Sequence, residues 1–212
     1  MSYDLAFSIK VFSALFAIMN PVANVPVFLS LTSGASDAER RRVAVTALIA
    51  VSIGCIVAAV AGSSILAMFG VSIDDFRLAG GLLVLLIALS MLHGSANSQQ
   101  APTDKERKDL DTADSVAIYP LAIPLLLGPG TIATMIVLGH SAINSGKELA
   151  FTAGLGTFLL LLAACMLSAP FIGHYLSPKV TAITQRLMGM ILAAIAVDMM
   201  MTSLRASFPG LT

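Results

Sequence analysis

The stretch Ile18-Met19-Asn20-Pro21-Val22-Ala23-Asn24-Val25-Pro26-Val27 lies inside a charge-free run from Val11 to Ser36. It is apolar enough for the middle of a membrane, yet it cannot be one continuous helix. A proline in a helix interior removes a hydrogen bond and collides with the preceding turn, which costs about 3 kcal/mol. Asn20-Pro21 instead reads as a helix start, with a side chain suited to the N-cap and proline at the first helical position. The stretch therefore predicts a helix that stops and restarts at mid-membrane. A second stretch has the same character: Tyr119-Pro120-Leu121-Ala122-Ile123-Pro124-Leu125-Leu126-Leu127-Gly128-Pro129-Gly130-Thr131. There Gly128-Pro129 offers the same start with a weaker cap.

Working outward, further charge-free runs cover Val43–Ile73, Leu78–Thr103, Ser115–Gly146 and Leu149–Pro178, and Leu187–Leu204 is interrupted only by Asp198. A crossing helix needs about 20 apolar residues. The runs predict six transmembrane helices, near 11–31, 43–69, 77–93, 116–139, 149–172 and 184–204. Composition agrees. Charged residues are 11% and apolar ones 57% of 212 residues, against roughly 25% and 45–50% in soluble domains. Mean hydropathy is +0.91. A chain of this size cannot hide that much apolar surface in its own interior, so the excess faces lipid. This excludes an ordinary soluble enzyme, a disordered chain and a disulfide scaffold. Ala58, on the second helix, is read as one of the lipid-facing positions.

Twelve basic residues balance twelve acidic ones, which argues against nucleic acid as a partner. Cys55 and Cys165 lie in apolar runs and read as small hydrophobes. The first apolar run is too long for a cleaved signal peptide and carries Asn-Pro at its centre. Segment 94–114, with the charge run Asp104-Lys105-Glu106-Arg107-Lys108-Asp109, is expected to be a polar cytoplasmic linker between a first three-helix unit, 1–93, and a second, 115–212.

Orientation follows from the basic residues at the helix ends. Arg40, Arg41, Arg42, Lys105, Arg107, Lys108, Lys179 and Arg186 fall on one side, and Lys10, Arg77, Lys147 and Arg205 on the other. The positive-inside rule puts the richer side in the cytoplasm and both termini outside.

The two units read as one unit used twice. Pro21 and Pro129 are 108 positions apart, Cys55 and Cys165 are 110 apart, and Arg77-Leu78 with Gly80 recurs as Arg186-Leu187 with Gly189, 109 apart. A unit with an odd number of crossings must re-enter from the opposite face. The expected fold is an all-α membrane protein of six helices in two inverted-topology three-helix repeats, with helices one and four broken. That plan is common among secondary transporters.

A helix start at the bilayer centre presents unpaired N–H groups and a partial positive charge, which must face protein, water or a ligand. Two such starts favour a carboxylate or another anion. The expected substrate site comprises Asn20, Asn24, Gly128, Gly130 and Thr131, with Pro21 and Pro129 holding the backbone open and Pro26 and Pro124 on the same two segments. Asp198, an acid inside the sixth span, reads either as an ion-coupling group or as a near-surface structural one. Arg77 and Arg186 read as snorkelling anchors, and Gly80, Gly81 and Gly189 as close-packing positions. His93, His140 and His174 lie apart at span ends, so no metal site is expected.

Asn20-Pro-Val-Ala-Asn24-Val-Pro26, together with Pro120-Leu-Ala-Ile-Pro124-Leu-Leu-Leu-Gly128-Pro-Gly130-Thr131, resembles the MarC integral-membrane family, which includes the SnatA-type transporters of small neutral amino acids. The resemblance covers essentially the whole chain. Ala23 stands where the family pattern usually has glycine. What the resemblance implies is a bacterial inner-membrane transporter or exporter, with glycine and alanine among its substrates. The residues themselves point to a carrier of a small zwitterion or anion, driven by an H⁺ or Na⁺ gradient, embedded in the lipid bilayer. Homo-oligomerisation stays open. The alternatives are an intramembrane enzyme and a passive channel or scaffold. Enzymatic chemistry at membrane depth needs a nucleophile with its base, a carboxylate pair or a metal set. One intramembrane acid and no central histidine supply none of these, so neither catalytic residues nor a cofactor is expected. With no phosphate-binding Gly-rich Lys motif, ATP is not the direct energy source.

Overall fold

The computed structural model describes residues 4–32, 34–93, 117–173 and 177–208. The linker expected at 94–114 and His174 lie outside the described residues. Those described form helices and short links, with no strand among them.

Asp4 caps α1 (Leu5–Met19) by accepting from the Phe7 N–H at 2.9 Å. The Lys147 ammonium, 2.9 Å away, is the main reason the Asp4 carboxyl lies below the usual carboxylate range. The α1 helix stops at Asn20, whose φ of +37° makes it the one non-glycine residue in the left-handed region among those described. Asparagine tolerates that region better than most residues. The chain restarts at once as α2 (Pro21–Leu31), bent 41° from α1. The break expected at Asn20-Pro21 is therefore present.

A capping box of Ser36 and Glu39 opens α3 (Asp37–Met68), and α4 spans Ile73–Leu92 behind an N-cap at Ser72. After the undescribed segment comes a π-helical stretch, Ala117–Leu126, followed by α5 (Pro129–Asn144), α6 (Glu148–Leu167), the short α7 (Ala169–Gly173) and α8 (Pro178–Ser207). Prolines at 120 and 124 cannot donate to an α-type ladder. The Leu127 N–H reaches instead to the Ala122 carbonyl at 2.8 Å, five residues back. The second break is thus a longer unwinding than Gly128-Pro129 alone suggested.

Four of these helices, α3, α4, α6 and α8, are individually long and apolar enough to cross a membrane, and the bent α1–α2 pair makes a fifth. The crossing expected near 116–139 is split between the π-helical stretch and the 16 residues of α5, each too short by itself.

Packing runs between the chain's two ends. The α4 helix lies along α8 in the most extensive helix contact, α3 packs on α5, and α1 packs on α6. Glycines mark these crossings. A methyl added at Gly81 would lie 3.0 Å from the Ala196 carbonyl oxygen, and one at Gly189 would lie 3.0 Å from that of Ala88. Both pairs of like residues, Gly81 with Gly189 and Ala88 with Ala196, are 108 positions apart. The structure thus gives Gly81 the role that corresponds to Gly189, while Gly80 faces Ala133 of α5. Bulky side chains such as Phe28, Phe158, Leu15 and Met135 fill the interior. The outer face is aliphatic, with Ile53, Val60 and Leu160 exposed. Ala58, expected on that face, is buried against the core cluster because its side of α3 turns toward the bundle.

Candidate functional site

Asn20 serves as C-cap of α1 and N-cap of α2 together. Its Oδ1 accepts from the Ala23 N–H at 3.3 Å. Its Nδ2 has no partner, although the residue is only 4% exposed. Only one other buried side-chain atom among the described residues, the Thr181 hydroxyl, shares that condition. Leaving a buried donor unpaired costs about 1–3 kcal/mol, so the Nδ2 of Asn20 is a donor in want of an acceptor. It sits beside the start of α2, where Pro21 has no N–H, those of Ala23 and Asn24 are bonded to Asn20, and the Val22 N–H lacks a helical partner.

The residues around it have other work. Asn24 Nδ2 donates to the Met19 carbonyl at 2.6 Å, and the Thr131 hydroxyl donates to the Leu126 carbonyl at 3.0 Å. In both breaks a polar side chain satisfies the carbonyl five residues before it, next to the interruption. Asn24 and Thr131, expected to contact substrate, are therefore first of all caps for broken helices. Thr131 has no second donor to offer. Pro26, inside α2, cannot donate to the Val22 carbonyl and loosens that turn.

In the second break Gly128 is extended (φ −72°, ψ 172°) and supplies no side-chain cap to α5. Pro21, Gly128 and Gly130 are buried, whereas Pro129 is exposed. Pro124 lies in the π-helical stretch. A methyl on Gly130 would approach Ile18 Cδ1 and Ile87 Cδ1, each at 2.9 Å. The first turn of α5 thus rests on the last turn of α1, two residues before Asn20. The structure brings Gly130 beside the first break and walls the place with isoleucine.

Asp198 has a definite partner. Its Oδ2 lies 3.0 Å from Lys10 Nζ, so the pair bridges α8 and α1, and both side chains are more than half exposed. The pair lies on the wall of a cavity of about 540 Å³ that also touches Ala14, Thr134, Ser141 and Thr202. Asp198 lies nine residues before the end of α8, about 14 Å along the helix. Charges at that depth face water or protein, and here Asp198 faces both Lys10 and the cavity. Its lining reaches Ala14, about 9 Å short of Asn20 along α1. Arg77 lines it too. Rather than snorkelling, Arg77 is largely buried and bound to Asp74 at 2.7 Å. Arg186 is exposed.

Lys10, Thr134, Ser141 and Thr202 were not singled out by the sequence. The available signal was the matching isolation of Lys10 and Asp198, each a single charge in an apolar run. No group of three His, Cys, Asp or Glu among the described residues is arranged to hold a metal ion.

The profile of the MarC family integral membrane protein matches residues 5–208. The UPF0056 membrane protein YhcE of Escherichia coli is 34% identical over 209 residues, covering 99% of this chain and 97% of its own. The UPF0056 membrane protein YvbG of Bacillus subtilis is 36% identical over 209 residues, covering 98% of both. The UPF0056 membrane protein MJ1677 of Methanocaldococcus jannaschii is 36% identical over 207 residues, covering 96% of this chain and 98% of its own. No solved structure matches. With apolar helices built for several crossings and a family match that runs nearly end to end, the chain belongs to the MarC family of multi-pass integral membrane proteins.

Proposed function

We propose that the protein is a secondary transporter of small neutral amino acids, of the glycine and alanine kind, and not an enzyme. In this reading the substrate carboxylate binds where α2 and α5 restart. The observation that carries it is the unpartnered, buried Nδ2 of Asn20 at the start of α2. A carboxylate would satisfy that donor and the Val22 N–H together, the N–H groups of Ala23 and Asn24 being already bonded to Asn20, and would sit at the positive end of the helix dipole. The isoleucines around Gly130 leave little room beside the carboxylate, which favours a small side chain.

The architecture proposed for this activity is six crossings in two inverted repeats, with the π-helical stretch and α5 forming the fourth. The exchange of partners supports it: each half lends its first helix to the second helix of the other. The third helices meet through Gly81 on Ala196 and Gly189 on Ala88, at the same 108-residue offset as the two prolines. Alternating access then rocks one repeat against the other around the breaks. The 540 Å³ cavity is the approach from the terminus-bearing side, which the basic bias puts outside the cytoplasmic membrane. Asp198, bound to Lys10 across the two halves, is the group placed to couple an H⁺ or Na⁺ gradient to that motion.

Uptake into proteoliposomes tests the activity. With an H⁺ or Na⁺ gradient imposed, labelled glycine and alanine should accumulate while leucine and phenylalanine do not. Folded protein that moves no amino acid under either gradient refutes the reading.

The approach path has a separate test. With Cys55 and Cys165 replaced, Ser141→Cys and Thr202→Cys should both react with a membrane-impermeant thiol reagent applied to intact cells. Val60→Cys, on the lipid face, should not. Labelling confined to inverted vesicles would reverse the orientation.

A further inference from the structure

At the opposite end from the cavity of Lys10 and Asp198 lies a groove of about 460 Å³ with two unlike walls. One wall holds Asp37, Arg40 and Arg41 from the start of α3, and the other Met166, Leu167 and Phe171 at the α6–α7 junction. Arg40 is anchored. Its Nε donates to the Thr32 hydroxyl at 3.3 Å, its Nη2 donates to the Thr32 carbonyl at 3.4 Å, and its Nη1 stands 3.6 Å from Asp37. Arg41 is exposed and makes no ion pair among the described residues. Glu39 is tied to Ser36 in the capping box, so it does not face the groove as a free charge. In the lining itself two arginines, Arg40 and Arg41, stand against one acid, Asp37.

Depth narrows the choice of ligand. The charge-free run of α3 begins at Val43, two residues after Arg41, so the guanidinium stands at headgroup level while the rest of the helix enters hydrocarbon. Across the groove Phe171 is 77% and Leu167 45% exposed, an apolar surface at the same membrane boundary. A soluble anion would use the guanidinium and gain nothing from that surface. A neutral lipid would use the surface and leave the cation unmatched. We propose that this groove is a binding site for an anionic phospholipid, with its phosphate at Arg41 and Arg40 and the start of an acyl chain against Leu167 and Phe171. Basic pockets at the cytoplasmic ends of membrane helices suit such headgroups, and arginine matches phosphate in two-point geometry.

The test uses the full chain purified in detergent, stripped of lipid, then offered phosphatidylglycerol or phosphatidylcholine of equal chain length. Retained lipid is counted by native mass spectrometry. The wild type should retain more phosphatidylglycerol by about fivefold, the factor expected for one arginine near an anionic phosphate. Arg41→Gln should bring the two lipids level, Arg41→Lys should keep most of the preference, and Lys179→Gln, an exposed cation at the same end, should keep it all. Equal retention of both lipids by the wild type, or an unchanged preference in Arg41→Gln, overturns the proposal. Displacement of the lipid by excess inorganic phosphate would also overturn it, in favour of a soluble anion. Because lipid counting does not depend on transport, this result stands apart from the substrate reading.

Discussion

Replacing Asn20 by glycine should sharply weaken substrate binding and leave the fold intact. Asn20 holds φ at +37°, a region glycine enters freely and alanine does not. Glycine at an N-cap sacrifices only a few tenths of a kcal/mol relative to asparagine. Asn20→Gly therefore keeps the bend between α1 and α2 and removes the amide, both the Oδ1 cap on Ala23 and the unpartnered Nδ2 donor. A hydrogen bond to a charged group contributes about 1.5–3 kcal/mol, and each 1.4 kcal/mol is tenfold in affinity. Glycine affinity should drop about 10- to 100-fold in Asn20→Gly proteoliposomes, with the melting temperature in detergent near that of the wild type. Asn20→Asp makes the complementary case, since it keeps a cap and places a negative charge where a carboxylate is proposed to bind. It should bind glycine at least as weakly. Uptake at the wild-type level by folded Asn20→Gly protein would remove Asn20 from the site.

The broken first helix was legible because its signals are local. Proline lacks a donor, and asparagine both caps helices and tolerates the left-handed region, so Asn20-Pro21 fixes the break whatever surrounds it. The second break was less legible. Gly128-Pro129 marks its end, but the π-helical winding from Ala117 to Leu126 follows from the combined effect of Pro120 and Pro124 on the ladder, which pairwise motif reading does not resolve. Asn24 and Thr131 show a further limit. Their polarity at mid-membrane announces that something needs a hydrogen bond, yet the sequence does not say whether that is a substrate or a backbone carbonyl. Here it is the Met19 and Leu126 carbonyls. The Lys10–Asp198 pair was not legible as a pair, because its members are separated by 188 positions and meet only once α1 and α8 are packed. Ala58 fails for another reason: α3 is apolar around its whole circumference, so hydrophobicity does not tell its lipid face from its buried one.

The largest effect on stability is expected at the glycines that let α1 and α5 touch the neighbouring helices backbone to backbone. A methyl on Gly139 would lie 2.5 Å from the Ala59 carbonyl oxygen and 2.8 Å from Ala59 Cα. One on Gly154 would lie 2.5 Å from the Ser8 carbonyl oxygen and 3.0 Å from Val11 Cβ. In both cases the obstacle includes main chain, which no rotamer change can move, so the helices must separate. Gly54 and Gly62 differ, because the nearest atoms an added methyl there meets belong to the side chains of Leu127 and Ile136 and not to main chain. Gly156 has open space beside it. Overpacking costs about 1–3 kcal/mol and occasionally more, and small residues at membrane helix interfaces exist to allow such approach. Gly139→Ala and Gly154→Ala should each lose about 2–3 kcal/mol and show a clearly lower thermal midpoint in detergent. Gly54→Ala and Gly62→Ala should lose less, and Gly156→Ala should match the wild type. The two severe substitutions also separate packing from function. Gly154 seats α1, whose end carries the Asn20 amide, whereas Gly139 seats α5, whose start offers backbone only. If the restart of α2 is the binding site, the surviving folded fraction of Gly154→Ala should transport less per molecule than that of Gly139→Ala. Equal transport per folded molecule would show that the position of α1 does not set the site.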